Sequence, residues 1–230
     1  MNAGRNGNIA ATFLPLALLV ALALPGCGGS DDDDNDGGQT AQLGLQVQPT
    51  SVLLGQSAVI TWSASPGVTC QAGGGWSGDQ PASGNSAVTP NAPGSITYTL
   101  TCSGGGYTGP VTESATLAVT AATLAQIQDS VFTPRCTGCH DGSQPAGGPL
   151  PQSMNLTAGN SHTSLVGVPS RQQGTVLRIA PGDAAASYLV RKVEGSAGIT
   201  GQRMPLGGLP LGAETIAQIK SWILAGAANN

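Results

Sequence analysis

Two thiols three positions apart, with an imidazole directly after the second, stand at Cys136-Thr137-Gly138-Cys139-His140. Thiols at this spacing can add across the two vinyl groups of a haem while the imidazole of His140 reaches the iron from one face, and the run is a c-type haem attachment signal. Two other chemistries also use paired cysteines. A structural zinc site needs four ligands, and the only other histidine is His162. A thioredoxin-like dithiol needs a βαβ setting, which the flanking pattern lacks. A second axial ligand would decide what a haem here could do, and the candidates beyond the motif are Met154, His162 and Met204.

The remaining cysteines bear on the compartment. Residues 1–26 carry Arg5, an apolar run over 9–24 broken by Pro15, and then Pro25-Gly26 before Cys27. A transmembrane helix needs about 20 apolar residues, so this shorter run reads as a signal peptide that is removed. Leu24-Pro25-Gly26-Cys27 resembles the bacterial lipobox, although Pro25 departs from the usual small residue. The resemblance implies acylation of Cys27 and attachment to a membrane through an N-terminal lipid. Gly28 after it resembles the sorting pattern of outer-membrane lipoproteins, facing either the periplasm or the cell surface. Residues 27–42 hold five aspartates and several glycines, a composition expected to form a solvated acidic tether.

Charge is unevenly spread over the 230 residues. The formal net charge of −4 includes those five clustered aspartates; residues 40–120 contain two acids and no Lys or Arg, whereas seven basic residues follow residue 120. Seven dispersed cations do not make a nucleic-acid footprint. Gly 35 and Pro 16 are high and aromatics only 3%, which predicts turn-rich domains with modest cores. A large flat cofactor would suit a domain so short of aromatic filling.

The β-branched runs at residues 59–62, 96–100 and 116–120 are separated by Gly, Pro and Ser clusters, predicting a sandwich of about seven strands over residues 43–120. This stretch resembles bacterial immunoglobulin-like modules through its Ile60-Thr61-Trp62 strand, its Cys-x-x-x-Gly-Gly-Trp-x-Gly segment at 70–78, and Tyr98-Thr99-Leu100-Thr101-Cys102. Trp62 is expected in the core and Trp76 exposed. Export favours a Cys70–Cys102 disulfide.

From residue 121 onward, helical periodicity appears three times. Thr123 is a candidate cap for a helix through Leu124, Ile127 and Val131 that Pro134 would end. Asp183 is a candidate cap for residues 184–193. Gly212 precedes a helix with Ile216, Ile219, Trp222 and Ile223 on one stripe, and Leu211 and Ile216 can staple its start. Residues 121–230 resemble a class I bacterial c-type cytochrome: an N-terminal helix, Cys-x-x-Cys-His, a Gly/Pro-rich loop, a middle helix, Arg203-Met204-Pro205 and a C-terminal helix. The loop departs from the usual form, leaving Pro149 a weak candidate for orienting His140.

The resemblance implies one covalent haem c held by Cys136 and Cys139, with His140 as proximal and Met204 as distal iron ligand; bis-histidine ligation through His162 is the main rival. Arg178, Arg191 and Arg203 are candidates for pairing with the haem propionates, and Tyr188 for hydrogen bonding to one. With both axial positions filled, one-electron transfer to redox partners is expected. No Ser-His-Asp set can be built around two histidines, and no phosphate-binding glycine loop follows a strand, so an electron carrier is favoured over an enzyme with its own substrate. A haem-based sensor and an adhesion or scaffolding lipoprotein are the alternatives. The expected architecture is an all-β immunoglobulin-like sandwich followed by an all-α cytochrome c-like domain.

Overall fold

A computed structural model describes residues 42–143 and 154–230. The leader, Cys27, the acidic run and Pro149 lie outside the described residues.

Eight strands occupy residues 43–120: β1 (Leu43–Gln48), β2 (Ser51–Leu53), β3 (Ala58–Ala64), β4 (Val68–Gly74), β5 (Gly78–Gln80), β6 (Ser83–Val88), β7 (Gly94–Gly104) and β8 (Val111–Thr120). They form two sheets, ordered β1-β3-β6 and β2-β8-β7-β4-β5, antiparallel except where β2 runs parallel to β8. Alternation along each strand explains the packing. In β3, Ala58, Ile60 and Trp62 are buried while Val59 between them is 42% exposed. In β7, Tyr98, Leu100 and Cys102 are buried, and with Leu117 and Val119 of β8 they meet Leu45 and Val47 of β1 in one apolar cluster.

Cys70 and Cys102 are disulfide-bonded directly opposite one another on β4 and β7, so the bridge joins neighbours within one sheet. Trp62 is buried, and its indole N–H donates to Pro81 O. Trp76 is half-buried where exposure was expected: its ring packs edge-on against Trp62 with centroids 5.0 Å apart, and its N–H donates to Thr99 O. A partner aromatic and a backbone acceptor together remove Trp76 from the exposed surface.

The second half corrects the expected fold class. The chain is mostly sheet, with 34% of the described residues in strands or bridges and 20% in helices, so it is not a sandwich followed by an all-α cytochrome c-like domain. The helical pieces are α1 (Leu124–Ile127), a π-helical turn (Gln128–Phe132), α2 (Thr133–Arg135), α3 (Ser161–Leu165), α4 (Tyr188–Glu194) and α5 (Ala213–Leu224), of which only α5 reaches 12 residues. Between them, isolated bridges join Asp141 to Asn155, Val166 to Ile179, Pro169 to Leu177 and Ala180 to Asp183. Composition accounts for this. Gly costs about 1 kcal/mol and Pro about 3 kcal/mol in a helix interior relative to Ala, and eight of the 18 residues from 195 to 212 are one or the other.

Local signals still set the helix ends. Thr123 Oγ1 accepts from Gln126 N and Gln126 Oε1 accepts from Thr123 N, a reciprocal capping box at α1. Asn230 completes that end, its backbone O accepting from Ala125 N and its Oδ1 from Leu124 N. Pro134 does not end the helical run. The preceding wide turn changes the hydrogen-bond register, Thr133 N donating to Gln128 O, and Pro134 falls at the start of α2, where its missing N–H is tolerated. Asp183 also differs from expectation: its Oδ1 accepts from Ala186 N in a turn, and α4 starts later, after Ser187. Leu224 of α5 packs on both the strand cluster and the cluster that includes Ile127, Phe132, Ile179 and Trp222.

The disulfide closes a separation of 32 residues, which the chain-entropy model converts to about 3–4 kcal/mol of stabilisation. Replacing both Cys70 and Cys102 by Ala is therefore expected to lower the urea midpoint by an amount equivalent to that range. An unchanged midpoint at unchanged slope would remove the bridge from the account of stability.

Candidate metal centre

The motif leaves α2 in a tight backbone frame. Cys136 N and Thr137 N both donate to Phe132 O, and Cys139 N and His140 N both donate to Cys136 O, at 2.9–3.1 Å. His140 O then accepts from Leu156 N at 2.7 Å, beside the Asp141–Asn155 bridge. Sequence-adjacent residues thus acquire fixed positions from both sides of the motif.

Neither motif cysteine is in a disulfide. Cys136 is half-buried, with Sγ 3.7 Å from Val131 O, and Cys139 is exposed. Burial pushes the Cys136 thiol up to about 11, partly opposed by the positive charge of Arg135. His140 is lowered from its usual value, first by burial and then by the positive charges of Arg178 and Lys192. A buried imidazole held neutral keeps a nitrogen lone pair free for a metal. Its Nδ1 is buried and has no hydrogen-bond partner among the described residues.

Two adjoining clefts meet at His140. The larger, about 1240 Å³ including open solvent at its mouth, is lined by Cys136, Cys139, His140, Met154, Met204 and apolar side chains that include Phe132, Leu156, Val193 and Leu211. The smaller, about 570 Å³, shares His140, Met154, Leu189 and Met204 and adds Arg171, Arg178, Tyr188 and Lys192. One side is therefore apolar and bears the two thiols, while the other presents three cationic side chains. This division suits a flat, amphipathic ligand with an apolar ring and anionic substituents.

The residues expected at the site separate clearly. Cys136, Cys139, His140 and Met204 share one cleft, and Arg178 and Tyr188 line its smaller neighbour. Arg178 is held by a bond from its guanidinium to Ser164 O, and the Tyr188 hydroxyl donates to Gln172 Oε1. Arg203 is not among the lining residues; its Nε donates to Val193 O. Arg191 Nε donates to Ala185 O, also away from the clefts. His162 does not line them either, because its Nε2 donates to Ala227 O at 3.0 Å. Met154, one of the three candidate axial ligands, lines both clefts.

Arg171 and Lys192 were missed. Lys192 lies one turn after Tyr188 on α4, so the face shared by the two was the available signal, obscured by the usual exposure of lysine.

Among the described residues, no group of three or more His, Cys, Asp or Glu side chains converges to hold a metal ion directly. Zinc demands convergence on one point at about 2.0–2.3 Å, whereas a haem separates its thioether positions from its iron. The cleft, the two thiols outside any disulfide and the buried Nδ1, which has no partner among the described residues, fit a haem held through Cys136, Cys139 and His140. No protein-family model matches the chain, and no curated protein matches it in sequence.

Because folding lowers the His140 pKa, the unfolded chain binds more protons below the unperturbed value of 6.5. The contribution of His140 to the stability of the haem-free chain is thus fully present above that pH. It is lost as pH falls through the depressed folded value. In His140→Leu the slope of stability against pH below about 6.5 should flatten relative to the parent, as read by urea unfolding at a series of pH values. Identical slopes would contradict the assignment.

Proposed function

We propose that the chain is an exported, lipid-anchored monohaem c-type electron carrier. The observation that carries this reading is the single cleft lined by Cys136, Cys139, His140 and Met204. These residues are separated by up to 68 positions in sequence, from Cys136 to Met204.

Each motif thiol would add S–H across one vinyl double bond, sulfur to one carbon and hydrogen to the other, with no oxidant required. Burial favours the neutral form of Cys136, and the exposed Cys139 lies at the open side. His140 would offer a neutral ring nitrogen to the iron, and Met204, which lines the same cleft, would offer a thioether. Bound in this way, the haem supplies a one-electron couple whose potential His/Met ligation raises. Arg178 and Tyr188, which line the smaller cleft with Arg171, would meet the anionic substituents. Arg203 is better described as a structural contact to Val193 O. Phe132, Leu156 and Leu211 line the larger cleft and would keep water from the ring.

Export and the lipid anchor rest on the leader and on Cys27. No helix of the described residues is long and apolar enough to cross a membrane. The two-sheet region would place the redox-active half away from the membrane surface.

The purified protein is expected to give the visible spectrum of a low-spin c-type haem, with a methionine-to-iron band in the oxidised form. Met204→Ala should abolish that band and lower the midpoint potential while retaining covalent haem, whereas Met154→Ala should leave the band in place. A band that survives Met204→Ala and disappears in Met154→Ala would reassign the distal ligand. Rapid carbon monoxide binding by the reduced parent protein would favour a sensor over an electron carrier.

A further inference from the structure

We propose that Lys192 is the positioning residue for Met204, clamping the segment that carries it and so setting how firmly its thioether is held toward the iron. This rests on the haem reading above. Lys192 is only 7% exposed, and among the described residues no carboxylate pairs with it, the only ion pair being Lys220–Glu194. A buried ammonium is costly unless its donors are satisfied. Here backbone satisfies two of its three donors: Nζ donates to Thr200 O at 3.0 Å and to Gln202 O at 2.6 Å.

The same residue holds the segment a second way, because Lys192 O accepts from Met204 N at 2.8 Å. Neighbouring contacts reinforce it. Thr200 N donates to the Tyr188 hydroxyl at 2.9 Å, and Arg203 Nε donates to Val193 O at 2.7 Å. Of residues 200–204, only Gly201 lacks such a tie to α4. Gly201 has φ +72°, and a Cβ there would come 4.0 Å from Lys192 Nζ. This left-handed turn lets the carbonyls on either side of Gly201 converge on one ammonium, a conformation that side chains disfavour.

Methionine is unbranched and adaptable, so its sulfur is only as well placed as its backbone. Without Nζ, the Thr200 and Gln202 carbonyls face inward with no donor, and hydration favours an outward segment. The loss would appear as displacement of Met204 in folded, haem-loaded protein.

The test uses the holoprotein, comparing Lys192→Met, which keeps volume but has no donor, with Lys192→Arg, which keeps charge and donors. Lys192→Met should retain covalent haem by mass but lose most of the methionine-to-iron band. The reduced protein should bind carbon monoxide at least about tenfold faster, as expected for losing charge-assisted hydrogen bonds. Lys192→Arg should keep most of the band. Gly201→Ala, which leaves the lysine in place, should change both readouts in the same direction and decides the matter alone if Lys192→Met does not accumulate. Parent-like band and carbon monoxide rates in Lys192→Met and Gly201→Ala, alongside loss of the band in Met204→Ala, would overturn the clamp and spare the haem reading. Persistence of the band in Met204→Ala would overturn Met204 ligation and the clamp with it.

Discussion

The imidazole of His140 is withdrawn from water, kept neutral by burial and by Arg178 and Lys192, and left without a partner for Nδ1 among the described residues. An unmet buried nitrogen costs about 1–3 kcal/mol, and the surrounding structure holds it there. Phe132 O and Cys136 O each receive two backbone N–H groups from the motif, and Leu156 N fixes the carbonyl of His140 itself. These bonds fix the motif on one border of the larger cleft, whose lining also includes Leu189 and Val193 of α4 and Met204. An apolar side with two thiols and a cationic side with Arg171, Arg178 and Lys192 then follow from the elements that border the gap.

This second half achieves order with little regular structure. Its apolar cluster draws on α1, the π-helical turn, α4 and α5, while the intervening Gly- and Pro-rich stretches are fastened by single bridges and side-chain contacts. Ser187 illustrates the economy of such contacts: its hydroxyl accepts from Ala180 N and donates to Asp183 O. The strand region is held by different means, through alternating burial and a disulfide between adjacent strands. Leu224 ties α5 to both clusters, so the two halves share packing without sharing architecture.

Alternation made β3 and β7 legible, because strands with one buried face write their exposure directly into sequence. The α1 cap was legible because Thr123 and Gln126 act over three residues. The fold class was not, since helix periodicity marks where a helix is permitted and says little about how much intervening chain stays irregular. Asp183 had the chemistry of a helix cap, but Ala180, Ser187 and the intervening turn claimed it locally. Pro134 was misread because the register change at Gln128–Phe132 lies in hydrogen bonding and leaves no residue signature. Cys136, Cys139 and His140 could be picked out by type and spacing, and Met204 through the resemblance carried by Arg203-Met204-Pro205. Lys192 could not, because its buried state depends on carbonyls eight and ten residues away at a glycine turn.

Covalent haem attachment through Cys136 and Cys139 is the central claim, and the most direct measurement is the intact mass of the exported protein after denaturation and reduction. The account predicts a mass greater than that of the processed, lipid-modified chain by one haem, with the addition mapping to the peptide containing Cys136 and Cys139. A mass without haem, with both cysteines of that peptide available for alkylation in protein from cells competent for c-type maturation, would contradict it.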